Sequence, residues 1–274
     1  MKKSTDLGRP DPWHELSRLT SARVGLGRAG GSLPTSALLR FQLAHAQARD
    51  AVHLAFDAEA LAQRLETSGH EVLQCHSAAA DRAAYIARPD LGRILSEPSR
   101  TALEDQPRPD IPFDCVFVIA DGLSARAVET HAEALLEQVL PRLRQAGWAL
   151  APLCIVEQGR VAVADEVGAL LGARMSVILI GERPGLSSPD SLGIYLTYDP
   201  VPGRSNAERN CISNIRPPEG LSYALAAHKL LFLMTESRSR KLSGVELKES
   251  APGIEGAAAA SLASSGEAAS REDP

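Results

Sequence analysis

The amino-acid sequence has 274 residues, of which 44% are hydrophobic, 23% charged and only 4% aromatic. This balance is typical of a globular protein with one or two domains and a core built from aliphatic side chains. The formal net charge of -5 argues against nonspecific binding to nucleic acid or to a membrane surface, because both require a basic face.

The first hundred residues predict a mainly helical region. Asp11-Pro12 can open a helix, because Asp is a good N-cap and Pro is tolerated at the first helical position. The apolar spacing then predicts three helices and a fourth stretch that is interrupted at its Arg-Pro step. These are Trp13–Val24, a helix that begins at Thr35 or Ser36, Ala58–Thr67, and the interrupted stretch Asp81–Arg93.

The pattern changes after the Pro-containing stretch Glu104–Asp110, where we place a domain boundary. Short apolar runs then alternate with amphipathic segments, which favours an α/β fold with a mostly parallel sheet and helices on both faces. The predicted strands are residues 115–120, 151–156, 175–180 and 194–198, and the predicted helices are residues 124–146, 165–171 and 222–237.

The end of the chain, residues 249–274, is rich in Ala, Ser, Gly and Glu. It has too little apolar surface to offset the entropy of ordering, so we expect a disordered tail. The predicted organisation is therefore a helical region over residues 1–104, an α/β region over residues 105–248 and a tail over residues 249–274.

Ligands of parallel sheets bind at the carboxyl ends of the strands. The loops expected there are Asp121–Ser124, Glu157–Val161 and Gly181–Gly185. Glu182 follows a strand directly, in a loop whose glycines and proline specify its backbone course. The alternative for this residue is an ion pair with Arg183 or another surface cation.

The segment Gly25–Gly30 matches G-x-G-x-x-G, but the dinucleotide fingerprint requires a strand immediately before it, and here a helix is expected. A plain helix–helix connection is the simpler interpretation. A third interpretation of this segment is that Arg23 and Arg28 flank a loop that docks onto a partner or an anionic group.

Other sites of chemistry have weak support in the sequence. No C-x-x-C, H-x-x-x-H, H-E-x-x-H or G-x-S-x-G motif occurs, so neither a zinc site nor a serine hydrolase is predicted. The cysteines Cys115 and Cys154 lie in apolar runs and are expected to be buried thiols. Cys211 lies in an extended polar segment without an adjacent histidine, and on pattern alone it is structural.

Several stretches, taken together and in order, resemble the small (light) subunit of ethanolamine ammonia-lyase over about Asp11 to Leu247. They are Leu19–Val24 with Gly27–Gly30, Ala87–Arg93, Ile119–Ser124, Gly159–Val161, Ile180–Leu186 and Asn210–Ile215.

The resemblance implies a helical N-terminal region followed by a Rossmann-like α/β region, in agreement with the pattern above. It implies a hexamer of heterodimers with a larger, catalytic subunit, and a complex that converts ethanolamine to acetaldehyde and ammonia by a radical mechanism. The cofactor would be adenosylcobalamin (coenzyme B12), shared between the subunits. No catalytic acid or base is implied for this chain.

Three positions carry over as cobalamin contacts: Val161, Glu182 and Cys211. The absence of D-x-H-x-x-G, which supplies an axial histidine in other cobalamin proteins, agrees with a cofactor that keeps its own benzimidazole on cobalt.

The resemblance also implies a cytoplasmic protein. Some family members are packaged in bacterial microcompartments through a long N-terminal extension. Only ten residues precede Asp11 here, so we do not expect that targeting signal.

Two alternatives remain open at this stage. The first is a non-enzymatic binding module that uses the same pocket for another nucleotide-like ligand. The second is a free-standing NAD enzyme, which requires a strand before Gly25.

Overall fold

The computed structural model describes residues 11–20, 22–107 and 110–248. It is an α/β fold in which one six-stranded sheet is packed between helices. The strands are β1 (Val72–His76), β2 (Val116–Ala120), β3 (Leu153–Glu157), β4 (Met175–Gly181), β5 (Leu192–Tyr198) and β6 (Arg209–Ile215). The helices are α1 (Thr35–His53), α2 (Ala58–Thr67), α3 (Arg82–Ala87), α4 (Glu97–Glu104), α5 (Ala125–Gln145), α6 (Val163–Leu170) and α7 (Tyr223–Arg240).

The sheet has the strand order β1-β3-β2-β4-β5-β6. Strands β1, β3, β2 and β4 run parallel, whereas β5 pairs antiparallel with β4 and with β6. From β2 the chain passes through α5 to β3 on one side, and from β3 it passes through α6 to β4 on the other. This reversal sets the carboxyl ends of β2, β3 and β4 side by side, where open α/β sheets bind ligands.

Helices cover both faces of the sheet. Helices α2, α5 and α7 pack on one face, and α4 and α6 pack on the other. Strand β2 is buried at every position, with Phe117 and Ile119 in the first layer of core and Val116 and Val118 in the second. The continuous apolar run in β2 therefore reflects a strand that is covered on both faces, as predicted.

Most of the predicted elements are confirmed. Helix α2 spans the predicted residues Ala58–Thr67. The Ser124 hydroxyl accepts a hydrogen bond from the Ala127 N–H and begins α5, and Gly147, at a φ of +71°, follows its end. The stretch Asp81–Arg93 is divided into α3 and a 3-10 turn, as the Arg-Pro step predicted.

The predicted helix Trp13–Val24 is wrong in its extent, because among the described residues of this range only His14–Arg18 is helical, as a short 3-10 segment. Leu16 and Leu19 are 43% and 83% exposed, so no buried face stabilises a longer helix. The described residues before Gly25 also contain no strand. The glycine segment thus lacks the context of the dinucleotide fingerprint.

The sequence patterns did not predict β1, α4 or β6. Strand β1 lies within the mainly helical region and pairs with β3 at the edge of the sheet. Its polar residues Gln74 and His76 weaken the apolar signal. Strand β6 is equally polar, because it forms the opposite edge. The domain boundary after residue 104 stays a prediction.

No helix of the described residues combines the length and apolarity needed to cross a membrane. The tail that we expect to be disordered, residues 249–274, lies outside the described residues.

Candidate functional site

A cavity of about 690 Å³ opens at the carboxyl ends of β2, β3 and β4. All three loops that the sequence assigned to this edge contribute to its wall. Segments near the ends of α3 and of β5 and β6 complete it. The lining residues are Tyr85, Arg93, Gly122, Leu123, Arg160, Val161, Ala162, Ile180, Gly181, Glu182, Arg183, Tyr195, Arg204, Ser205, Asn206, Arg209 and Ser213.

Two glycines allow the ends of β2 and β4 to meet at the floor of the cavity. The Leu123 N–H donates to the Gly181 carbonyl at 2.9 Å. Gly122 has a φ of +57°, and a Cβ atom there would collide with the Gly181 carbonyl and the Ile180 side chain. A Cβ at Gly181 would collide with the carbonyls of Asp121 and Ser124. The close approach therefore requires glycine both in the loop after β2 and at the end of β4.

A buried ion pair holds the next loop in place. Arg82 donates from Nη1 to Asp121 Oδ2 at 3.0 Å and to the Gly122 carbonyl at 2.8 Å. The other oxygen, Asp121 Oδ1, accepts from the Gly159 N–H at 3.1 Å. Burial raises the pKa of the Asp121 carboxyl to about 6, against the opposing effect of Arg82. Asp121 thus fixes the backbone from which Arg160 and Val161 project into the cavity.

Tyr85 forms the side of the cavity between two guanidinium groups. The Arg160 guanidinium carbon lies 4.4 Å from the ring centroid, and that of Arg82 lies 4.7 Å from it. The Tyr85 hydroxyl donates to the Gly159 carbonyl at 3.3 Å, and burial raises its pKa to about 12. The phenol therefore stays protonated and serves to position Arg160 by stacking.

The Glu182 carboxylate is held by three donors at the mouth of the cavity. The hydroxyls of Ser191 and Ser213 donate to it, and so does the Asn214 N–H at 3.1 Å. None of the ion pairs among the described residues involves Glu182, so the alternative of a surface ion pair is not what the structure contains. A carboxylate has about four lone-pair positions, so one remains to accept from a ligand.

Cys211 lies in β6 directly opposite Tyr195 in β5. Residues two apart on a strand share a face, so Cys211 is on the same side as Ser213, which lines the cavity with Tyr195. Its thiol is free and exposed. Burial of part of the side chain raises the thiol pKa, and a hydrogen bond with the Tyr195 hydroxyl opposes that effect. Cys115 and Cys154 are fully buried, as predicted.

The structure therefore brings the three candidate contacts to one side of the sheet. Val161 and Glu182 line the cavity, and Cys211 borders it next to Tyr195 and Ser213. Their role in binding a cofactor stays a prediction.

Sequence reasoning missed several lining residues. Arg93 is the last residue of Ala87–Arg93, one of the stretches that carried the family resemblance. No other feature of the sequence pointed to Arg93 as a lining residue. Ser213 likewise lies in a stretch that carried the resemblance, Asn210–Ile215. Tyr195 and Arg209 gave no signal, because they lie on strands of mixed polarity whose pairing the pattern did not reveal.

The wall can bind a large ligand that is partly apolar and partly polar. Val161, Ala162, Leu123 and Ile180 offer aliphatic surface, while Glu182 and backbone carbonyls offer hydrogen-bond acceptors. Among the described lining residues there is no histidine, and the described residues contain no group of three or more potential metal-binding side chains. The site can thus bind and orient a ligand.

The comparisons with known proteins agree on one family. A family model described as "Ethanolamine ammonia-lyase light chain (EutC)" matches residues 10–248. A relative from Azotobacter vinelandii (strain DJ), an "Ethanolamine ammonia-lyase small subunit", is 61% identical over 242 residues, which cover 88% of this chain and 89% of that protein. Proteins with the same description from Ralstonia nicotianae and Pseudomonas syringae pv. tomato are 61% identical over 242 residues and 59% identical over 253 residues. Each alignment covers at least 88% of both chains.

Proposed function

Because this chain belongs to the family of ethanolamine ammonia-lyase small (light) subunits, we propose that it binds adenosylcobalamin together with a larger, catalytic subunit. The complex would be a hexamer of such heterodimers that converts ethanolamine to acetaldehyde and ammonia. We further propose a cytoplasmic location, with packaging in a microcompartment as a separate question for experiment.

The composition of the cavity fits one side of a corrin. A corrin is a broad, largely apolar ring with amide side chains at its rim, so it requires aliphatic surface and acceptors for amide N–H groups. Val161 and Ile180 supply the first, and the remaining lone pair of Glu182 supplies an acceptor. The single observation that carries the proposal is that the loops bearing Val161 and Glu182 meet in one cavity beside Cys211.

The residues of this chain would hold the cofactor and exclude water. When bound, adenosylcobalamin supplies homolytic cleavage of its cobalt–carbon bond. Val161 and the aliphatic floor would cover one part of the ring, while Glu182, fixed by Ser191 and Ser213, would orient an amide at its rim.

Helix α1 supports the need for a second subunit. Its only buried residues are Ala37, Ala44 and Ala51, which lie seven residues apart. Large apolar side chains are exposed around the rest of its first half, and others are exposed in the segment that precedes it. They are Trp13, Leu16, Leu19, Leu33, Leu38, Leu39, Phe41 and Leu43. An exposed apolar cluster of this kind at one end of a helix is normally covered, and the relatives are described as small subunits. We assign this surface to the larger subunit.

The apolar surface is linked to the cavity by the segment before α1. The Arg23 guanidinium donates to the Leu186 carbonyl at 3.3 Å and lies 6.0 Å from the centroid of the Phe41 ring. Leu186 belongs to the loop that begins at Glu182. A single large subunit that covers α1 can therefore also reach the mouth of the cavity. That Arg23 and Arg28 flank a loop that docks onto a partner or an anionic group stays a prediction.

The decisive experiment is purification of the chain with its cognate large subunit and measurement of cobalamin per heterodimer. We expect a stable complex that binds cobalamin in proportion to heterodimers and requires this chain for sustained activity. Full and stable activity of the large subunit alone would refute the proposed role. Equilibrium dialysis of the complex against cobalamin and common nucleotides separates this function from that of a nucleotide-binding module.

Glu182→Ala tests the site within that complex. We expect weaker binding of cobalamin with an unchanged melting temperature of the complex, because the side chain is only partly buried. Exposed Glu137→Ala, on the far side of the sheet in α5, provides a matched control. If the wild type and Glu182→Ala bind cobalamin with equal affinity, Glu182 does not contact the cofactor and only connects β5 and β6 through its hydrogen bonds.

A further inference from the structure

The charges in the cavity do not balance. Its wall contains five arginines and one glutamate. Two of the arginines are neutralised within the chain: Arg209 pairs with Asp165, and Arg204 pairs with Asp199 and Glu208. The other three are Arg93, Arg160 and Arg183. None of these forms an ion pair with a carboxylate of the described residues.

Arg160 is the most constrained of the three. Its side chain is partly buried, is stacked on the Tyr85 ring and donates from Nη2 to the Tyr85 carbonyl at 3.1 Å. Its Nε is buried and has no hydrogen-bond partner among the described residues. A guanidinium that is partly removed from water and lacks a counter-ion is unfavourable unless another molecule supplies one.

The arrangement is preorganised for a tetrahedral anion. Stacking fixes the plane of the Arg160 guanidinium, and its planar fork matches the geometry of phosphate oxygens. Arg93 and Arg183 are exposed on the same wall and can turn toward the anion. Among the described residues that line the cavity, Glu182 is the only one with a carboxylate, and its oxygens already accept from Ser191, Ser213 and Asn214.

We infer that Arg160, with Arg93 and Arg183, forms a phosphate-binding subsite in this cavity. The inference rests on the proposed function, in which the ligand is cobalamin. Cobalamin carries one phosphodiester, in the loop that connects the corrin to its benzimidazole nucleotide. The same chemistry would bind the phosphate of a free nucleotide, so the experiment must separate the two sources.

The test compares cobinamide with cobinamide phosphate, since the two corrinoids differ only in the phosphate group. Their affinities for the complex of this chain with its large subunit are measured by equilibrium dialysis and absorbance, without reference to activity. We expect cobinamide phosphate to bind about tenfold more tightly than cobinamide, because charge-assisted hydrogen bonds to phosphate are strong. The difference should shrink as the salt concentration rises.

Arg160→Met keeps much of the side-chain volume and removes the charge. We expect this variant to lose about tenfold in affinity for cobinamide phosphate and less than about twofold for cobinamide. Arg142→Met, at an exposed position near the end of α5, is the matched control and should change neither affinity. If Arg160→Met destabilises the complex, Arg183→Met should show a smaller loss of the same selectivity, because Arg183 is exposed and has no ion-pair partner among the described residues.

The outcomes separate this inference from the proposed function. Equal loss of affinity for both corrinoids, or no loss for either, would overturn the phosphate subsite and leave cobalamin binding intact. Failure of the wild-type complex to bind cobalamin in the dialysis described above would overturn the proposed function itself. Tight binding of ATP by that same complex would then point to a free nucleotide as the ligand.

Discussion

Removal of the charge on Asp165 should destabilise the protein strongly. Asp165 in α6 and Arg209 in β6 form a bidentate pair with side chains 0% and 2% exposed. Arg209 also donates to the Thr197 hydroxyl at 2.9 Å and to the Arg204 carbonyl at 2.9 Å. Asp165→Asn would leave the guanidinium buried without a counter-ion. We expect a loss of about 3–5 kcal/mol in the free energy of unfolding.

Urea denaturation of the full chain, followed by tryptophan fluorescence, measures this loss. The exposed pair Arg88–Asp90 has side chains 63% and 59% exposed and provides the control. Asp90→Asn should leave the free energy of unfolding nearly unchanged, because water already solvates both groups.

The double variant Asp165→Leu/Arg209→Met should regain most of the stability that Asp165→Asn loses, since it buries no unpaired charge. A cost for Asp165→Asn that is no greater than that for Asp90→Asn would refute this reasoning. That result would also mean that contacts other than the pair with Asp165 hold Arg209 in the cavity wall.

Three further perturbations have defined outcomes. Burial raises the pKa of Asp121 from its ordinary value of 3.8 to about 6. Between these two pH values the folded state binds more protons than the unfolded state, so the free energy of unfolding should decline as the pH rises from 3.8 to about 6. Asp121→Asn should flatten this decline in urea denaturation, and an unchanged pH profile would contradict the raised pKa. Gly181→Ala should cost about 3 kcal/mol because its Cβ would collide with two backbone carbonyls, whereas Gly31→Ala, in open space, should be neutral in the same assay. Leu39→Glu should weaken co-purification with the large subunit, and assembly as firm as that of the control Gln138→Glu, at an exposed position in α5, would exclude α1 from the interface.

Local patterns in the sequence specified most of the elements. The apolar run that became β2 predicted a strand covered on both faces, and Ser124 and Gly147 predicted where α5 begins and ends. These signals are strong because each depends on groups only a few residues apart. The helix expected over Trp13–Val24 is wrong because its residues Leu16 and Leu19 stay largely exposed and do not pack into the core formed by the described residues. Helical spacing alone does not supply that surface.

The sequence predicted only part of the candidate site. The loops that bear Val161 and Glu182 were predicted to lie at one edge of a parallel sheet because they follow buried strands, and Glu182 was noted within its loop. Val161 itself was singled out as a cobalamin contact only by the resemblance to a family. The resemblance to a family, and not any local pattern, singled out Cys211.

The sequence by itself determined the α/β class, the strand-end loops and the family, because hydrophobic periodicity, turn residues and ordered motifs are local properties of the chain. Only the tertiary structure decided the antiparallel edge of β5 and β6 and the pairing of Arg209 with Asp165. It alone also showed that Arg160 has no counter-ion among the described residues. Such relations depend on residues distant in sequence that become neighbours only when the sheet forms, so no local pattern records them.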